Sequence, residues 1–116
     1  MASSRLQNAF AVKTTMKRRR DAKPGPAEIV WSPLARARLQ EIRAYVALDK
    51  PLAAERLATR IVAVVEALRN QPRLGRAGAA PGIRELIIGG TPYSVLYRVS
   101  GNRITISTIW HAAQSR

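Results

Sequence analysis

The sequence predicts an α/β fold of the α+β kind: an antiparallel sheet of about four strands packed on an N-terminal helical hairpin, in the order β-α-α-β-β-β. Three observations carry this. Two stretches between Pro33 and Asn70 keep a helical apolar period, three stretches after Pro81 alternate as strands do, and one short β-type run precedes them. The chain has 116 residues, of which 47 % are hydrophobic, enough for one domain with a compact core.

Residues 1–27 stand apart. Lys13, Lys17, Arg18, Arg19, Arg20 and Lys23 cluster there ahead of Pro24-Gly25-Pro26, with hardly any apolar period. They are read as a basic, flexible N-terminal extension to a domain spanning 28–116. A nucleic-acid-binding arm, an upstream extension of the reading frame with Met16 as internal start, and a solvated leader all fit such a run.

The first element is Glu28-Ile29-Val30-Trp31. Ser32-Pro33 then supplies an N-cap residue and a proline at the first helical position. Ala35, Leu39, Ile42 and Val46 recur at helical spacing and define one buried stripe. Asp49-Lys50-Pro51 repeats the start signal with Asp49 as the expected cap, and Ala54, Leu57, Ile61, Val64, Val65 and Leu68 carry a second helix to about Asn70. So tight a connection makes the two helices antiparallel.

From Pro72 to Gly82 the chain shows no strand period and reads as a basic, flexible connection. The strands after it are Ile83–Ile88, Tyr93–Val99 and Arg103–Trp110, broken by Gly89-Gly90-Thr91-Pro92 and by the hairpin turn Ser100-Gly101-Asn102. Alternation places Tyr93, Val95, Tyr97 and Val99 opposite Ser94, Leu96 and Arg98. It likewise sets Ile104, Ile106, Thr108 and Trp110 against Thr105, Ser107, Ile109 and His111. One face should cover the helices, leaving the other concave and open.

Charge speaks to partners. Twenty Lys and Arg against seven Asp and Glu give a net charge of +13, and residues 28–116 alone hold thirteen cations against six acids. An anionic partner is expected: RNA, DNA, a ribosomal surface or an acidic protein. The absence of cysteine removes disulfide and thiolate chemistry, and a single histidine with scattered carboxylates leaves no metal site, so no cofactor is expected. With no apolar run long enough for a membrane span and no leader pattern, the expected setting is cytoplasmic.

Arg84-Glu85-Leu86, the stretch from Tyr93 to Tyr97-Arg98, the terminal Ile109-Trp110-His111-Ala112-Ala113-Gln114, the Pro51-Leu52-Ala53-Ala54-Glu55-Arg56 helix and the Pro72–Arg76 break occur in an order that resembles the RelE/ParE superfamily of type II toxin-antitoxin systems. The resemblance covers about residues 28–114. It implies a growth-arresting toxin held by a cognate acidic antitoxin. It also implies one of two activities: RelE-like cleavage of messenger RNA in the ribosomal A site, or ParE-like poisoning of DNA gyrase without nuclease chemistry.

Each activity nominates its own residues. Metal-free RNA cleavage needs a base for the 2′-hydroxyl, a cation for the phosphorane and an acid for the leaving oxygen. His111 is the acid/base candidate, Arg84 and Arg98 are phosphate clamps, and Tyr93 is available for stacking or proton transfer. Against these, His111 could simply end its strand, Arg84 could pair with a carboxylate, and Tyr97 reads as core. The ParE-like alternative nominates contact residues instead: Arg73 and Arg76 in the connection, and Arg56 and Arg60 on the second helix, where a solvated face explains the latter two equally well. Lys50 is the only lysine after residue 23, which removes lysine-based catalysis at the sheet and tilts the reading toward ParE-like action.

Overall fold

The structure is a computed structural model that describes residues 26–111. The described chain runs β1 (Glu28–Trp31), α1 (Pro33–Ala47), α2 (Pro51–Glu66), a 3-10 turn (Ala67–Arg69), β2 (Arg76–Ala77), β3 (Ile83–Ile87), β4 (Tyr93–Ser100) and β5 (Arg103–His111). Most of the extension, together with Gln114 and the rest of the C-terminus, lies outside the described residues. Ala27, nominally in the extension, is buried in the core, and its N–H donates to the Arg69 carbonyl at 3.0 Å.

The start of α1 follows its local code. Ser32 is extended (φ −66°, ψ 159°) and its Oγ accepts the Ala35 N–H at 3.0 Å, leaving Pro33 at a position where no N–H is needed. The same hydroxyl donates to the Ser107 carbonyl at 2.8 Å, tying the helix start to β5. The start of α2 departs from expectation. Lys50, not Asp49, is its N-cap, and no side chain caps it, because Asp49 lies one position too early. Arg43 reaches Glu55 with two hydrogen bonds of 2.8 and 2.9 Å, joining the end of α1 to the first turns of α2 as a hairpin requires.

The sheet has five strands in the order β1-β5-β4-β3-β2, and it is mixed rather than wholly antiparallel. β1 lies parallel to β5, with Ile29 beside Ile104 and Trp31 beside Ile106. A parallel neighbour needs a long crossover, and the helical hairpin together with the other strands supplies one. The fifth strand is β2, inside the stretch expected to be strandless. Two residues cannot display a period of two.

β4 and β5 pair through a register shift: Leu96 faces Thr108 while Tyr97 faces Ile106, so Ser107 is skipped as a bulge. One extra residue inverts the alternation beyond it. Ile109 and His111, rather than Thr108 and Trp110, therefore share the helix-facing side with Ile104 and Ile106, which corrects the expected faces. The core joins Ile61, Val65 and Leu68 of the helical segment to Leu86, Val95, Tyr97, Ile104, Ile106 and Ile109, all on that side of the sheet. Among the described residues no helix is long and apolar enough to cross a membrane.

Candidate functional site

Two regions concentrate the chemistry, and the first follows from the end of β1. β1 accompanies β5 only as far as Ile106, and Ser32-Pro33 then diverts the chain into α1. The last turns of pairing, Thr108 to His111, thus have β4 on one side and α1 across a gap on the other. That gap is a cleft of about 620 Å³ lined by Leu34, Arg38, Glu41, Ile42 and Tyr45 of α1 and by Tyr93 and Thr108–His111 of the sheet. Its apolar lining is open to solvent, with Leu34 51 % and Tyr45 71 % exposed, and continues outside it to Leu48, 86 % exposed.

Within the cleft, Tyr93 and His111 meet edge to face with ring centroids 5.3 Å apart, as their pairing across β4 and β5 dictates. Burial, and then the nearby Tyr45 phenol, push the Tyr93 hydroxyl above the ordinary tyrosine range. It is therefore a neutral group, suited to donating a hydrogen bond and unsuited to acting as a base. Among the described lining residues the one cation is Arg38, whose Nη1 donates to Glu41 Oε1 at 2.9 Å.

The second region is the connection between α2 and β3. The buried Tyr97 hydroxyl accepts the Gly75 N–H at 2.8 Å and donates to the Pro72 carbonyl at 2.7 Å. Burial raises its pKa, against the smaller opposing effects of the Gly75 N–H and the Arg84 charge, so it remains a phenol able to donate. Arg84 Nη1 donates to the Gly75 carbonyl at 2.7 Å. Arg76 and Ala77 pair with Glu85 and Arg84 as β2 and β3, and Arg76 Nη2 bridges Glu85 Oε1 at 3.1 Å. Glu85 also accepts from Trp110 Nε1 at 3.4 Å. Burial pulls the Glu85 carboxyl up, but hydrogen bonds from Arg76, Ser94 and Trp110 and the Arg76 charge outweigh it, leaving the pKa below its usual value.

The quartet nominated for RNA cleavage is only half assembled. Tyr93 and His111 are together. Arg84 faces Tyr97 and Arg98 faces Ile83 across the same ladder, and since Tyr97 and Arg98 are successive residues, the two arginines lie on opposite faces of the sheet. Arg84 shares the face of His111 but lies four residues further along β4, roughly 13 Å at ~3.3 Å per residue, and is held by Gly75. Arg98 is on the helix-free face, its guanidinium beside the turn at Gly82, where φ is +78°.

The second set falls into two groups. Arg73 and Arg76 sit in the tied connection, both exposed. Arg56 and Arg60 are exposed on α2 with no carboxylate partner among the described residues, and Arg60 approaches the Gly89 turn. The sequence reading missed Tyr45 and Arg38 as cleft residues, the loop-tying role of Tyr97 and the hub at Glu85. One signal was available: a tyrosine inside a core needs a partner for its hydroxyl. No group of three or more His, Cys, Asp or Glu able to hold a metal occurs among the described residues.

With this geometry in view, the chain matches the family described as ParE toxin of type II toxin-antitoxin system, parDE, over residues 29–116. It belongs to the RelE/ParE superfamily of toxins. It is similar to the candidate toxin Y4kP of Sinorhizobium fredii, 42 % identical over 74 % of this chain and 88 % of that protein. Toxin RelE2 of Caulobacter vibrioides is 38 % identical over 76 % of this chain and 98 % of its own length. A solved structure described as a chromosomal ParDE system from P. aeruginosa is 28 % identical, superposes with a TM-score of 0.69, and covers 73 % of this chain and 95 % of that one. The relatives thus carry the names of both branches of this superfamily, and the fold is the one expected from the order of the elements.

Proposed function

We propose that this toxin arrests growth by ParE-like binding to DNA gyrase, through a contact surface rather than a catalytic centre. The observation that carries the reading is the dispersal of the cations. Phosphoryl cleavage needs a phosphate clamp beside the imidazole, because catalysis depends on cations placed where charge develops. Arg84 is occupied with a backbone carbonyl, Arg98 is on the other face, and Arg38 is paired with Glu41. The exposed arginines Arg73 and Arg76, on a tied loop, are the target contacts in this reading, with Arg56 and Arg60 as further ones.

The partner is an acidic antitoxin. Its apolar stretch covers the cleft beside α1, burying Leu34, Tyr45 and Leu48, surface that a lone soluble domain has no reason to expose together. Its charge offsets part of the basic surplus.

One observation favours the RelE-like alternative: His111 and Tyr93 do meet in a cleft. Controlled expression of the chain in bacteria separates the two, using wild type, His111→Ala and the Arg73→Glu/Arg76→Glu pair while following message integrity and the DNA damage response. The expected result is intact messages and an induced damage response, unchanged in His111→Ala and lost on charge reversal. Messages cut at codons by wild type and spared by His111→Ala would overturn the proposal.

A further inference from the structure

We propose that Tyr97, Arg84 and Gly75 form a latch that holds the Pro72–Ala77 loop in the shape that presents Arg73 and Arg76 to the target. This rests on the gyrase reading for the identity of the target. None of the three touches the target; they are positioning residues.

A basic, glycine-containing connection would lose conformational entropy on binding for each residue fixed. Ordering it beforehand removes that penalty from the binding step. Here the loop is fixed from three sides. The Tyr97 hydroxyl grips Pro72 and Gly75 at once, Arg84 holds the Gly75 carbonyl, and the Arg76–Glu85 bridge secures the far end.

Gly75 makes the close approach possible. A Cβ there would lie 2.7 Å from Tyr97 Cε1, 2.8 Å from its hydroxyl and 2.9 Å from the Glu85 carbonyl oxygen. Two of these three atoms belong to a ring that is fully buried and cannot swing away. Glycine is therefore dictated by the latch, and not by the backbone angle.

The grip uses a core side chain, Tyr97, and a half-buried one, Arg84, to shape a surface loop. Phenylalanine at position 97 would fill the core equally well, so the hydroxyl is retained for what it holds. Arg84 likewise could end in solvent, yet its guanidinium turns to a loop carbonyl. Both anchors hold the segment from Pro72 to Gly75, which contains Arg73 and runs directly into Arg76.

The test uses the full chain with three variants. Tyr97→Phe keeps the ring and deletes both hydrogen bonds; Gly75→Ala displaces the loop from the other side; Arg73→Glu removes a contact and leaves every tie of the loop, the Arg76–Glu85 bridge included, in place. Amide exchange, antitoxin affinity and inhibition of gyrase supercoiling are measured on each. Tyr97→Phe and Gly75→Ala should speed exchange in residues 73–77 only, leave antitoxin affinity unchanged, and weaken gyrase inhibition about tenfold, as expected for loss of one or two hydrogen bonds.

Wild-type potency in Tyr97→Phe, or loop exchange no faster than wild type, would overturn the latch while leaving the gyrase reading intact. A wild-type chain that does not inhibit supercoiling overturns the gyrase reading and the positioning role with it. Weakened antitoxin binding in parallel with weakened gyrase inhibition would also overturn it, since that marks general loss of structure.

Discussion

Glu85 shows how one residue can take on several partners that its neighbours in sequence do not announce. Its carboxylate receives Arg76, Ser94 and Trp110 from three other strands, and these outweigh the burial that would raise its pKa. A carboxyl whose folded pKa is depressed contributes stability fully above its unfolded value, and that contribution is lost as pH falls through the folded value. Stability should therefore decline on acidification below the free-group value of 4.5. Urea titrations of wild type and Glu85→Gln from neutral pH downward would follow it: the two curves should be separated at neutral pH and converge in acid. Curves that stay parallel would show that Glu85 is not the group responsible. At this scale Ser32 was legible in the sequence, because an N-cap acts over three residues. Glu85 and Tyr97 were not, because their partners arrive through strand pairing and a loop, from nine to 25 residues away.

Among the elements, both helices and the three long strands could be read from periodicity, since apolar spacing is a local property that burial then reinforces. Register could not. The bulge at Ser107 reverses the faces of the last residues of β5, and with them the grouping of Trp110 and His111; nothing in the alternation of Ile104 to Trp110 marks where it slips. The separation of Arg84 from Arg98 is the same kind of fact, settled only by which residues of β3 and β4 face each other. The α2 cap is a subtler miss: Asp49 is the expected cap, but the helix begins one residue later, so that Lys50 occupies the cap. A cation there opposes the helix dipole and no side-chain oxygen meets the free N–H groups. Lys50→Ser should therefore stabilise the protein by about 1 kcal/mol, read as a higher urea midpoint at unchanged slope. A midpoint that does not move would mean that the backbone at residue 50, with φ −138° and ψ 81°, aims a serine hydroxyl away from the first turn.

On the scale of the whole molecule, the charge surplus is distributed unevenly between paired and unpaired groups. Glu28, Glu41, Glu55, Glu66 and Glu85 each hold an arginine. Among the described residues Arg36, Lys50, Arg56, Arg60, Arg73, Arg84 and Arg98 have no carboxylate partner, so the field outside the protein is made largely by them and by the basic extension. Such a field acts over a Debye length, about 10 Å at 0.1 M salt and about 3 Å at 1 M. It accelerates the encounter with an acidic partner more than it tightens the final complex, which under the proposed mode of binding is closed by apolar contact along α1. The antitoxin should therefore associate roughly tenfold or more slowly as salt is raised from low to high concentration, with little change in dissociation. Stopped-flow association at a series of salt concentrations measures this directly. A steep rise in dissociation with a flat association rate would place the acidic residues of the antitoxin inside the interface, paired with these arginines, and would remove the cleft beside α1 from its central role in holding the partner.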